Sequence, residues 1–499
     1  MTKNRFNLID EPWIPVADVG TVSLMQVFSE ASYKSLGGNP VEKIALTKLL
    51  LAIAQAACTP SDDEDWARMG TQGMAEKCLA YLKKSHDFFW LYGDRPFLQV
   101  PGVVTAKERP FGAVLPEVAT GNTTVLTQFH LEKKLSDAER ALLILVLMSF
   151  ALGGKKTDNS VVLTRGYKGK TNAKGNPSSG KAGSAIGFSG YMHNFLQGDC
   201  LIATIWLNLL TVDQIKRVKI FPVGLGVAPW EAMPTGEADS AAEALRQSYM
   251  GRLIPLGRFC LLGETGLRYS EGIFHEGHTA GIFDMSIAVN FSEKKPKALW
   301  INPEKRPWRQ LTALLSFMES TRTGGFDCYQ IRFGLSRARE RISVIGIWSG
   351  GLRVTSNAGE QFLTGTDDFV ESLIILRSEW LGEMWYERLK IEMNELEEVA
   401  KNIYGATMRY FKTQNMEGQK QAAQVSNLFW QLCERKFQHL IDDCNTSNKA
   451  RGLRGAFAGL ANKSYDRLCP RDTARQLDAW AKNRPNLSKY LKNVSGEPS

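Results

Sequence analysis

Few side chains in this chain are typed and spaced for chemistry. His275 and His278 flank Glu276 and Gly277, a spacing two metal ligands can share, but they sit in a glycine-rich stretch without a third ligand at an obvious distance. Arg268 lies seven residues before His275, a separation some ribonuclease motifs use. There is no GxxxxGK(S/T), no GxGxxG opening a helix, no HExxH, and no Ser-His-Asp or Cys-His signature. No catalytic residue, metal site or cofactor is assigned on this basis. The eight cysteines are scattered without a CxxC pair, which fits free thiols in a reducing cytoplasm.

The stronger signal is electrostatic. Between Gly153 and Gly190 lie seven cations (Lys155, Lys156, Arg165, Lys168, Lys170, Lys174 and Lys181) against one acid, Asp158. Glycine recurs throughout, including Gly180 and Gly183. Such a stretch cannot bury enough apolar surface to fold by itself. Glycine lets backbone approach a ligand closely, and successive N–H groups can cradle an anion. The composition suits a phosphate backbone and equally a solvated insertion. Its placement between two expected apolar helices, which would hold its ends, favours the first.

Those helices belong to an α+β chain. At 43% apolar and 23% charged, its 499 residues suit two or three globular domains. Val41–Cys58 and Asp63–Lys84 have helical periodicity. Ser136-Asp137-Ala138-Glu139 reads as a capping box opening an apolar helix that Gly153-Gly154 stops. The opening stretch with Pro12 and Pro15 reads as a short edge strand, with Trp13 as a core anchor. Phe88–Val100 reads as a buried strand and turn, Trp308–Met318 as one amphipathic helix, and Gly350–Gly359 as an exposed hairpin or loop. From Asp368 onward, long Pro-free segments (Asp368–Trp385, Glu387–Thr413, Gln419–Asp443 and two shorter ones) predict an antiparallel four- or five-helix bundle. The expected division is therefore a mixed α/β domain over residues 1–367 and the bundle over 368–499. From Lys401 onward there are seventeen Lys or Arg and eight Asp or Glu, so the net charge of +9 resides there, pointing to a polyanion or acidic partner. No apolar run is long enough to span a membrane, so a cytoplasmic protein is expected.

Phe6-Asn7-Leu8-Ile9-Asp10 followed by Pro12-Trp13-Ile14-Pro15-Val16 resembles the opening of the CasA family, the large subunit of the type I-E CRISPR surveillance complex Cascade. Arg95-Pro96-Phe97-Leu98-Gln99 is similar to a second family segment at about the same depth. The glycine-rich loop, Leu267-Arg268-Tyr269, the Gly350-Gly351 turn and the C-terminal bundle occur in the same order. The likeness spans the whole chain, and its N-terminal stretch is the most diagnostic part.

The resemblance implies a non-enzymatic subunit of an RNA-guided complex. Such a subunit reads the protospacer-adjacent motif in double-stranded DNA, starts strand separation, holds the displaced strand and recruits a trans-acting helicase-nuclease. Its partners would be target DNA, guide RNA and the other Cascade subunits. Carried over, the motif-reading loop falls on Gly180, Lys181 and Gly183, and the wedge on Thr355, Asn357 and Ala358. The early loop touching the guide falls on Phe129 and His130. The family's minor-groove lysine has no counterpart, since Glu276 stands near that place, which implies either a different motif preference or reading through His275 or His278. Lys155, Lys156, Lys168, Lys170, Lys174, Arg451, Arg454, Arg471 and Arg475 would hold DNA backbone. Two rival readings remain: a metal-dependent nuclease using His275 and His278, and a purely architectural subunit.

Overall fold

Asn39 opens the first long helix. Its side chain accepts from Val41 and Glu42 N–H groups while Glu42 bonds back to the Asn39 N–H, closing a capping box before Pro40. The helix, Pro40–Cys58, is buried along most of its length. Asp63–Lys84 follows it, broken at Gly70, whose φ of +61° lies in the left-handed region. Asp137–Phe150 begins with the expected box, Ser136 Oγ accepting from the Glu139 N–H and Glu139 Oε2 from the Ser136 N–H. Trp13 is buried, its indole N–H donating to the Leu8 carbonyl at 2.9 Å. The computed structural model describes residues 4–115, 134–150, 152, 157–165, 167, 190–319, 324–357, 360–362 and 368–492.

The strands are short and form small antiparallel sheets. Arg5–Asn7 pairs with Trp90–Tyr92, the only strand within the expected 88–100 run. One three-stranded sheet has the order Phe369–Arg377, Val344–Leu352, His193–Gln197. Another places Val289–Asn290 between Lys297–Ala298 and Phe326–Asp327. Three expectations are corrected here. The cationic stretch leads into the strand His193–Gln197, not directly into the apolar helix, which starts at Leu201. Residues 369–377 are a strand, not the first bundle helix: Val370, Ile374 and Leu376 are buried at even spacing, and β-branched residues favour the pleat. Trp308–Met318 is three short pieces, two of them 3₁₀ turns, rather than one helix.

The chain divides into two compact units. The first comprises Met1–Pro307, Gly324–Arg341 and Ile345–Leu373, and the second Trp308–Thr323, Ile342–Val344 and Ile374–Ser499. The second contains three long helices, Glu383–Thr413, Gln419–Asp443 and Ser447–Leu468, followed by Ala474–Lys482 and Ser488–Lys492. Connections of three to five residues leave successive long helices little choice but to run antiparallel. The stripe Leu389, Met393, Leu396 and Ala400 is buried as its spacing predicts. No single described helix is long and apolar enough to cross a membrane.

Within Ser447–Leu468, Gly452, Gly455 and Gly459 have nothing within 4 Å of where a Cβ would stand. Gly455→Ala is therefore expected to stabilise the second unit by roughly 0.5–1 kcal/mol, the helix-interior penalty of glycine. A rise in its unfolding midpoint in urea would show this, and a fall would mean the bare position is needed for the fold.

Candidate nucleic-acid interface

The cationic stretch ends where two other sequence candidates meet. Gly190, with φ of +80°, accepts from the Ile301 N–H at 2.7 Å. A Cβ on it would lie 3.5 Å from the Leu352 carbonyl and 3.7 Å from the Val354 nitrogen, so this backbone runs beside the root of the 355–362 hairpin. Gly351 permits the approach, since a Cβ there would stand 2.6 Å from the Tyr191 carbonyl. In the hairpin, Thr355 pairs with Phe362 and Asn357 with Glu360. The root is closed by Arg353, which ion-pairs with the buried Asp368 carboxylate at 2.6 Å.

Tyr191 and Trp300 form an isolated bridge, and their rings stack at 4.5 Å with 20° between planes. His278 meets both rings edge-on, at 5.6 Å and 5.9 Å. Its Nε2 faces the Pro296 carbonyl at 3.2 Å, so that nitrogen carries the proton and donates, while Tyr191 OH donates to Nδ1 at 2.8 Å. Tyr191 also belongs to one apolar cluster with Phe283, Ile287, Val289 and Ala298. Beside them the turn between Val289–Asn290 and Lys297–Ala298 carries the exposed Lys294 and Lys295.

The polar foundation is deeper. Lys48 of the Pro40–Cys58 helix ion-pairs with Asp284, both side chains almost fully enclosed. Asp284 Oδ1 also accepts from the Ser286 N–H at 2.9 Å and Oγ at 2.7 Å, and Ser286 Oγ meets His193 Nδ1 at 2.8 Å. Burial alone would raise the Asp284 pKa, yet the Lys48 charge, His193 and these hydrogen bonds outweigh it and hold the carboxyl at about 2.

The histidines do not form a metal-ligand pair. His275 Nε2 donates to the Pro255 carbonyl at 2.7 Å and its Nδ1 is enclosed, whereas His278 turns to Tyr191 and Pro296. Burial, with the Arg252 charge nearby, keeps His275 well below the usual imidazole range, and burial also lowers His278. Both are neutral at pH 7. His275 is thus corrected from a DNA contact to a support, because its ring nitrogens face inward. Among the described residues no group of three or more His, Cys, Asp or Glu is placed to hold a metal ion.

Of the bundle cations, Arg451, Arg471 and Arg475 are exposed. Arg471 lies over the Trp480 ring at 5.0 Å and Arg475 donates to the Gln414 carbonyl at 2.5 Å. Arg454 is corrected: its side chain is 1% exposed and its guanidinium grips Glu392 at 2.7 and 2.9 Å, so it is spent inside the bundle instead of facing solvent. Phe129, His130, Lys155, Lys156, Lys168, Lys170, Lys174, Gly180, Lys181, Gly183 and Ala358 lie outside the described residues. Sequence reasoning missed Lys294, Lys295 and Trp300, although the run Lys294-Lys295-Pro296-Lys297 is a visible cationic turn.

The sequence pattern of the CRISPR-associated protein Cse1 family matches residues 7–480. A CasA/Cse1 protein of Thermus thermophilus is 35% identical over 166 residues, which is 30% of this chain and only 32% of that relative. The crystal structure of Thermus thermophilus CasA superposes with a TM-score of 0.74 at 21% identity, covering 98% of this chain and 99% of that one. A chain of a CRISPR RNA-guided surveillance complex matches with a TM-score of 0.67 at 15% identity, over 96% and 98%. At such identities the structures speak for the fold, which is shared from end to end. With the family pattern running through almost the entire sequence, the chain belongs to the CRISPR-associated protein Cse1 family.

Proposed function

We propose that this chain is the large subunit of an RNA-guided, Cascade-like surveillance complex. In it the chain reads a protospacer-adjacent motif in double-stranded DNA, starts strand separation, holds the displaced strand and recruits a helicase-nuclease, with no chemistry of its own. The observation that carries this reading is one junction, where the end of the cationic stretch at Gly190, the hairpin root at Leu352–Val354 and the His278 loop adjoin.

The junction suits duplex DNA physically. The minor groove is about 6 Å wide and presents a degenerate pattern, so glycine backbone enters it and a reader there tolerates several sequences. A hairpin inserted between base steps must offset a few kcal/mol of unstacking. Exchange of duplex for guide pairing is nearly balanced, so modest protein contacts decide whether it proceeds. Lys294 and Lys295, exposed beside the junction, add phosphate contacts to those expected of Lys181 and its neighbours. The metal-nuclease reading loses support because the His275 and His278 rings turn to different carbonyls, so neither offers a free nitrogen at a shared point.

Binding of the full chain to a 30-base-pair duplex, titrated over salt, tests this. Lys294→Ala with Lys295→Ala should weaken binding and lower the log–log slope by roughly 0.9 for each phosphate contact removed. An unchanged slope would remove this face from the interface.

A further inference from the structure

We infer that the outer face of the Trp300 indole is a stacking platform for one unpaired DNA base; this rests on the proposed function and names the ligand of the same surface. Trp300 is packed on one side by Tyr191 at 4.5 Å and nearly parallel, yet the residue remains 44% exposed. One face is therefore covered and the opposite one is open to solvent. The backbone that carries the ring, and the tyrosine it stacks on, are also fixed. His278 holds the Tyr191 hydroxyl, Met192 N–H donates to the Leu299 carbonyl at 3.0 Å, and Ile301 N–H donates to the Gly190 carbonyl at 2.7 Å. An exposed indole already stacked on a neighbouring ring, on a backbone bonded at both adjacent residues, gives up little conformational freedom when a base lands on it.

Its position selects the ligand. Trp300 Cε3 lies 3.7 Å from where a Gly190 Cβ would stand, and that same point is 3.5 Å from the Leu352 carbonyl, so the indole adjoins the root of the hairpin. A base expelled by a hairpin inserted into the stack leaves the duplex beside this root. Lys294 and Lys295 on the adjacent turn supply the charge that a single strand's phosphates require. The nearest imidazole has both nitrogens engaged, leaving no donor to read a base edge, so recognition is by stacking and tolerant of sequence.

The test uses the full chain and a forked DNA duplex carrying 2-aminopurine as the first unpaired base, beside the same fork with an abasic site there. Binding should quench the 2-aminopurine emission. Trp300→Ala should abolish the quenching and weaken the 2-aminopurine fork roughly 5- to 150-fold, the worth of one base–aromatic stack. It should weaken the abasic fork much less, and Trp300→Phe should keep most of the quenching and affinity. Equal losses on both forks, or quenching that survives Trp300→Ala, would overturn the platform. Quenching confined to an RNA strand of the same sequence would overturn its assignment to DNA. Failure of the wild-type chain to bind the paired arm would instead strike the function on which the platform rests.

Discussion

Lys48→Met should destabilise the first unit by about 3–5 kcal/mol at pH 7, because it leaves the Asp284 carboxylate enclosed without its cation. The loss is structural first and functional second. Asp284 fixes Ser286, Ser286 fixes His193, and His193 begins the strand that follows Gly190 and Tyr191. Hydrogen exchange should therefore quicken at residues 193–197 and 284–290 before it does in the bundle. The pH dependence gives a second signature. In the wild type the carboxyl titrates at about 2 in the folded state, below its ordinary 3.8. Its stabilising contribution is thus present above 3.8 and lost as pH falls toward 2. Without Lys48, burial dominates and the folded pKa rises above 3.8, so the variant loses stability as pH climbs through that raised value. The gap between variant and wild type should shrink from pH 7 to pH 4. Removing both partners, as Lys48→Met with Asp284→Leu, should recover much of the loss.

Arg454→Met should cost the second unit a similar 3–5 kcal/mol, for it strands Glu392, whose side chain is 4% exposed. Arg454 also donates to the Tyr490 carbonyl at 2.9 Å, so the short C-terminal helix Ser488–Lys492 should fray in the same variant. Arg451→Ala is the control: exposed and one turn away, it should change stability by no more than about 0.5 kcal/mol. If Arg454→Met instead weakened DNA binding while urea unfolding stayed unchanged, the buried role would be wrong.

The contrast between these two arginines shows where sequence reading stops. Both stand in one basic helical run, and what separates them is Glu392, 62 residues earlier and unmarked by any local pattern. The histidines fail for the same reason, since the carbonyls of Pro255 and Pro296 that turn their rings are set by folding rather than spacing. Residues 369–377 were ambiguous in kind: Val370 and Ile374 stand at a spacing that fits helix and strand alike, and only Leu376 follows the strand period alone. By contrast, the Pro40–Cys58 and Asp137–Phe150 helices were legible because their caps are local and each sequence spells out its own start. The expected exposed hairpin or loop over Gly350–Gly359 was legible only in part, since Gly350, Gly351 and Leu352 continue a buried strand and the hairpin begins at Thr355. Trp300 was not legible, because an indole in an apolar run reads as core until its neighbour is seen to cover only one face.

The most direct measurement is photocrosslinking within the assembled complex, using target DNA with a photoreactive base at each position of the flanking motif and the first displaced nucleotide. Crosslinks should fall on Gly190–Tyr191, on Lys294–Trp300 and at the root of the 355–362 hairpin. A complex that binds its target fully, yet crosslinks elsewhere and leaves all three untouched, would contradict the placement of DNA at this junction.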